Sequence, residues 1–171
     1  NCPKMKQGIG LLAALMLFGC QQDKIAYVDN VKLMDGYQRK TDIEATYQMQ
    51  SEAFARRRDS ISQAFQLEAQ ELQSKSNNMS QDKAQEEFEI LQQRGQLIGQ
   101  QLQQQEQQMQ RMGQLKMDSV ITQVRKTIRE YGEANGYRYI LTGGEGGSVL
   151  YGDKADDITS EILQILNESY K

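Results

Sequence analysis

The chain contains no histidine and no tryptophan. Without histidine, every Ser-His-Asp triad, imidazole acid–base pair and histidine-bound zinc site is excluded. Proline occurs once, as Pro3, so nothing from Lys4 to Lys171 carries the residue that breaks helices. Cysteine occurs only as Cys2 and Cys20. Hydrophobic residues make up 38% of the 171 residues, a little under the globular norm, which argues against a densely cored enzyme domain. Lys and Arg number 20 against 23 Asp and Glu, a net charge of −3. A chain that binds nucleic acid through phosphate contacts is normally basic, so nucleic acid is not an expected partner. No catalytic constellation, metal site or cofactor site is expected, and the chain is not read as an enzyme.

What is present begins with an export signal. Met5 is expected to be the start, behind Asn1–Lys4. Ile9–Phe18 is apolar but only ten residues long, too short to span a bilayer as a helix. With Lys4 and Lys6 before it, it reads as the core of a signal peptide. Leu17-Phe18-Gly19-Cys20 resembles the bacterial lipobox, which precedes lipidation and cleavage. Residues 1–19 are therefore expected to be a lipoprotein-type signal peptide, Cys20 the lipidation site, and 20–23 a lipidated tether. An ordinary signal peptide that happens to contain a cysteine is the alternative. More than one acyl chain suffices for stable membrane attachment. Removing Lys4 and Lys6 with the signal takes the net charge from −3 to −5. It also leaves Cys20 as the sole cysteine, with no intrachain disulfide possible.

Residues 31–136 read as a helical hairpin arm. From Val31 to Ser76 the only glycine is Gly36, and apolar residues recur by sevens: Leu33, Tyr47, Phe54 and Ile61, then Tyr37, Phe65, Leu72 and Met79. So narrow a seam means a coiled coil, and polar gaps at Lys40 in the first series and at Glu44, Ser51 and Arg58 in the second make it a weak one. Asn77-Asn78 interrupts the pattern and Ser80 is placed to cap a second helix, putting the tip near 76–80. The second helix is expected to stop at Asn135-Gly136. Its seam is Ala84, Phe88, Leu91, Gly95, Ile98, Leu102, Met109 and Met112. Antiparallel partners have a constant sum of residue numbers. Leu72 with Ala84, Phe65 with Leu91, Phe54 with Leu102, and Tyr47 with Met109 all give 156, twice the position of Asn78. Gly95, Gly99 and Gly113 inside this arm each cost about 1 kcal/mol relative to alanine, which predicts a loose arm. Twelve of the 23 residues from Gln92 to Gln114 are glutamine, a fair helix former, so the tract reads as solvated helix surface.

Residues 24–30 and 137–171 read as one small body. Lys24–Asn30 alternates as a strand. Tyr137–Thr142 is a second strand, and Ser148–Tyr151 a third beyond a glycine-rich hairpin turn at 143–147. Asp157 is expected to cap a last helix carrying Ile158, Ile162, Ile165 and Leu166 on one face. About 45 residues make a marginal body, and oligomerisation is the natural way to close its strand edges.

The order Ile25–Asp29, a long Gln/Glu-rich hairpin, Tyr137–Thr142, Val149–Tyr151 and Asp157-Ile158-Thr159 resembles the Skp (OmpH-like) family of periplasmic chaperones. The resemblance implies an α+β fold: a small β-barrel body completed by trimerisation, with one long antiparallel two-helix coiled-coil arm per chain. It implies that Ile25, Tyr27, Ile140, Leu141, Val149 and Tyr151 build the trimer core, with the helix between Met117 and Tyr131 beneath it. It further implies an ATP-independent holdase in the periplasm. Its partners would be unfolded outer-membrane β-barrel proteins, with no cofactor, and a homotrimer held to a membrane by the lipid on Cys20. The residues that would bind clients are not assigned. Family members are typically basic and unanchored, whereas residues 60–100 here carry three cationic and six acidic side chains. Capture by basic arm tips is therefore not expected. A structural or scaffolding envelope lipoprotein with a fixed folded partner is the alternative reading.

Overall fold

The computed structural model describes residues 23–171. The signal peptide, Cys20 and most of the tether expected from the sequence lie outside the described residues. The elements in chain order are β1 (Ile25–Asp29), α1 (Asn30–Gly36), α2 (Gln38–Ser76), α3 (Gln81–Ala134), β2 (Tyr139–Gly143) and α4 (Thr159–Tyr170), with a single 3₁₀ turn at Lys154–Asp156. At 1.5 Å per residue, α2 extends for about 58 Å and α3 for about 81 Å. No described helix is long and apolar enough to cross a membrane.

Helix α3 ends where the sequence offers a stop. Gly136 has φ +69°, a left-handed conformation that costs glycine nothing. The Tyr137 N–H then reaches back to the Gly132 carbonyl at 2.9 Å, closing the helix end. At the arm tip, Ser80 occupies the position before α3, but its hydroxyl makes no capping bond.

The first helix differs from the expectation. It is not continuous from Val31 but breaks at Tyr37, whose ψ of 109° is extended. Three contacts with α4 account for the break. Gly36 allows close approach, since a Cβ there would lie 2.5 Å from Leu163 Cδ2. The Tyr37 ring turns into the core and meets Tyr170 edge-on at 6.4 Å. The Asn167 side-chain amide spans the gap, accepting from the Gln38 N–H at 2.9 Å and donating to the Gly36 carbonyl at 3.1 Å. Both backbone groups lost to the helix are thereby satisfied.

Among the described residues the sheet has two strands, β1 and β2, parallel, with Ile25 opposite Tyr139 and Asp29 opposite Gly143. On the other side of β1, Tyr27 forms an isolated bridge with Asp157. Parallel pairing needs the long crossover that the arm supplies. Ser148–Tyr151 is not a strand, and the expected hairpin is corrected to a turn. Gly144 and Gly146 take positive φ, and the Val149 N–H bonds once to the Thr142 carbonyl. The chain must then pass to the far side of β1 to place Asp157 beside Tyr27, which leaves no length for a ladder.

The core lies on one face of this sheet. Ala26 and Val28 of β1 pack with Leu33, Tyr37, Val120, Val124, Ile158, Ile162 and Leu166, while Ile140 packs against the cluster from β2. Strand alternation sends Ile25 and Tyr27 to the opposite face.

Candidate functional site

Two surfaces have the character of a binding site: the arm and the outer face of the body.

On the arm, Leu72 and Leu91 are buried, and Tyr47, Phe54, Phe65, Ala84, Leu102 and Met109 are half-buried. Between the helices two rings rest on glycines. A Cβ on Gly95 would lie 2.7 Å from Phe65 Cζ, and one on Gly113 would lie 2.9 Å from the Tyr47 ring. These pairs sum to 160, one helical turn beyond the partners expected from a sum of 156. Side chains lean toward the N-terminus of their own helix. On α2 that direction runs toward higher numbers on antiparallel α3, so each ring reaches past its nominal partner. Glu68 and Arg94 form an ion pair across the arm, and Arg39 Nη2 donates to Ser119 Oγ at 3.1 Å nearer its root. Gly95 and Gly113 therefore act as seats for aromatic rings. Of the three arm glycines, only Gly99 has open space, with nothing within 4 Å of where a Cβ would stand. The signal was present in the sequence: Tyr47 to Phe65 and Gly95 to Gly113 are both steps of 18, five whole helical turns.

A second stripe on α3 faces solvent. Ile90, Leu97, Met112 and Leu115 are all exposed. At about 100° per residue they fall within an arc of about 60°, well away from the seam. Gln101 and Gln108 lie on the same arc between Leu97 and Met112, so two amides separate two apolar pairs along it. Met112, expected in the seam, stands in this exposed stripe instead.

On the body, Ile25, Tyr139 and Leu141 are exposed, Leu150 is 100% exposed and Tyr151 is 90% exposed. Of the six residues assigned to a trimer core, only Ile140 packs against the core within one chain. Tyr27 and Val149 are half-buried. The Tyr27 ring lies over Gly143 and Gly152.

One polar network ties the body together. Asp29 accepts from the N–H groups of Val31 and Lys32, both at 3.1 Å, and so caps α1. Its own N–H donates to Thr159 Oγ1 at 2.8 Å. The Thr159 hydroxyl donates in turn to Asp157, which also accepts from the Thr159 N–H at 3.0 Å. The N–H of Lys32, followed by its ammonium 3.1 Å away, holds the Asp29 carboxyl below its ordinary value. A folded pKa below the unfolded one means that the unfolded chain binds more protons in this range. The stabilisation is present above about pH 4 and is lost as pH falls through the folded value. Asp29→Asn is thus expected to flatten the acid side of a plot of urea midpoint against pH between 3 and 7. A slope as steep as that of the wild type would show that Asp29 contributes none of it.

Among the described residues, no three acidic or cysteine side chains are grouped to hold a metal ion. Asp153 and Asp157 serve local backbone, Asp153 accepting from the Ala155 N–H at 2.9 Å and Asp157 from the Thr159 N–H at 3.0 Å.

No curated protein matches the chain in sequence. A crystal structure from Caulobacter crescentus CB15, of a candidate outer membrane chaperone (OmpH-like), shares the fold with a TM-score of 0.75 at 15% identity, covering 86% of this chain and 85% of that one. The family described as outer membrane protein (OmpH-like) matches residues 24–166, from the first strand into the last helix. The chain therefore belongs to the OmpH-like family.

Proposed function

We propose that this protein is an ATP-independent holdase of the periplasm that keeps unfolded outer-membrane β-barrel proteins from aggregating. The observation that carries the reading is the solvent-facing stripe of Ile90, Leu97, Met112 and Leu115 on α3, with Gln101 and Gln108 between its two apolar pairs. An unfolded barrel protein exposes alternating apolar side chains and unpaired backbone. Apolar and amide groups set along a helix meet both without a shaped pocket, and methionine adapts to varied partners. The work needs no bond chemistry. The bare outer face of the sheet, with Ile25 and Leu141 exposed, and the exposed Leu150 and Tyr151 beyond it support a homotrimer with a shared β body. Three arms would then enclose the client. Lipid on Cys20 would hold the body against a membrane, since the tether to Lys24 reaches about 14 Å at most.

The test is dilution of an unfolded outer-membrane β-barrel protein from urea into buffer, followed by light scattering, with residues 21–171 added in increasing amounts. Scattering is expected to be suppressed near one trimer per client without ATP. Unchanged scattering from a folded trimer would overturn the holdase.

A scaffolding role with a fixed folded partner is the second reading. Two observations favour it: the ring-on-glycine seats and the Glu68–Arg94 pair make the arm more regular than its seam gaps suggest.

A further inference from the structure

We propose that a groove beside β2 receives an acyl chain of the lipid on Cys20, so that the membrane anchor folds back onto the body. The inference rests on the lipidation of Cys20 proposed above and gives that lipid a seat on the chain.

The groove has a volume of about 760 Å³ and runs between α1, α3 and β2. Met34, Ile121, Val124, Ile128 and Ile140 supply apolar walls. It follows β2, whose five residues span about 17 Å at about 3.3 Å per residue. A long apolar trough of this kind suits a hydrocarbon chain, which brings no polar group that needs a partner. Arg125 and Arg129 stand at its side and make no ion pair among the described residues. Their aliphatic stems can lie along the chain while their charged heads stay in water.

The anchor begins at one end of this groove. Tyr137 and Arg138 line that end, and the same two residues hold the first described part of the chain. The Arg138 guanidinium pairs with Asp23, and the Arg138 N–H donates to the Lys24 carbonyl at 2.8 Å. The Lys24 ammonium stands 4.0 Å from the centre of the Tyr137 ring. Only Gln21 and Gln22 separate Asp23 from Cys20. Three residue steps reach about 11 Å at most. Whatever path those residues take, the lipid is tied close to the mouth of the groove.

Every methylene taken out of water favours burial, whether in the bilayer or in an apolar trough. A lipidated cysteine carries more than one acyl chain, so one can lie in the groove while another stays in the bilayer. The body is then clamped to the membrane by its own anchor and does not hang from the tether alone.

The experiment expresses the full chain in bacteria fed palmitic acid that carries a diazirine. The protein is purified in detergent, its intact mass reports the lipid on Cys20, and the peptides cross-linked by ultraviolet light are mapped. Cross-links are expected on Met34, Ile121, Ile128 or Ile140. Ile121→Trp, which fills the groove at a position already 36% exposed, is expected to lose most of them. Circular dichroism of that variant separates a filled groove from a chain that fails to fold. An unlipidated Cys20 would overturn both the anchor and this inference. A lipidated Cys20 whose cross-links fall outside the groove would overturn the groove alone, as would undiminished cross-links in folded Ile121→Trp. Absent groove cross-links, together with loss of the oligomer in Ile121→Trp, would assign the groove to a neighbouring copy instead.

Discussion

Leu33→Ala is expected to cost about 2–5 kcal/mol, the range for a buried leucine whose cavity cannot fully collapse. Leu33 has no exposed surface and stands among Val28, Tyr37, Ile162 and Leu166, themselves almost wholly buried. The body is small, and a whole domain is stable by only about 5–15 kcal/mol. The loss therefore takes much of what holds β1, α1 and α4 together. Urea denaturation followed by circular dichroism gives the comparison. Leu67→Ala serves as the control, because Leu67 is exposed on the arm and surface changes usually stay within about 0.5 kcal/mol. Equal midpoints for the two variants would contradict the placement of the core.

The second large effect is one of sign. Helix propensity predicts that replacing any arm glycine stabilises the chain by about 1 kcal/mol. Ring packing predicts otherwise at two of the three. Leucine at Gly95 would drive into the Phe65 ring, and leucine at Gly113 into the Tyr47 ring. Overpacking costs about 1–3 kcal/mol at each site, which outweighs the gain in propensity. Gly95→Leu with Gly113→Leu is therefore expected to part α2 from α3 while leaving most helix intact. Spin labels at Gln50 and Gln105, near each other on facing helices, would report a longer and broader distance. Gly99→Ala, with open space around it, is expected to stabilise by about 1 kcal/mol. Stabilisation by all three substitutions would show that the rings do not use the glycines as seats.

These glycines mark the limit of sequence reading. Counted by propensity they are defects, and the expectation of a loose arm followed. Only the position of the facing ring turns a defect into a seat. The break at Tyr37 was hidden for a similar reason. Leu33 and Tyr37 fit the heptad spacing of the arm, yet both belong to the body, because α4 arrives from over a hundred residues away with Leu163, Asn167 and Tyr170. Ser148–Tyr151 has the composition of a strand, but composition reports a preference and says nothing of whether a partner edge lies within reach.

The sequence by itself determined the long helices, the turn near Asn77–Ser80 and the stop at Gly136. It also excluded histidine chemistry. Each is a local matter: absence of proline, a seven-residue rhythm of apolar side chains, a glycine free to take positive φ. The tertiary structure alone decided that β1 and β2 run parallel, that Ala26 and Val28 rather than Ile25 and Tyr27 face the core, and that Asn167 joins the two ends of a broken helix. Those depend on contacts between residues far apart in the chain, whose free energy comes from burial and pairing that no local window contains.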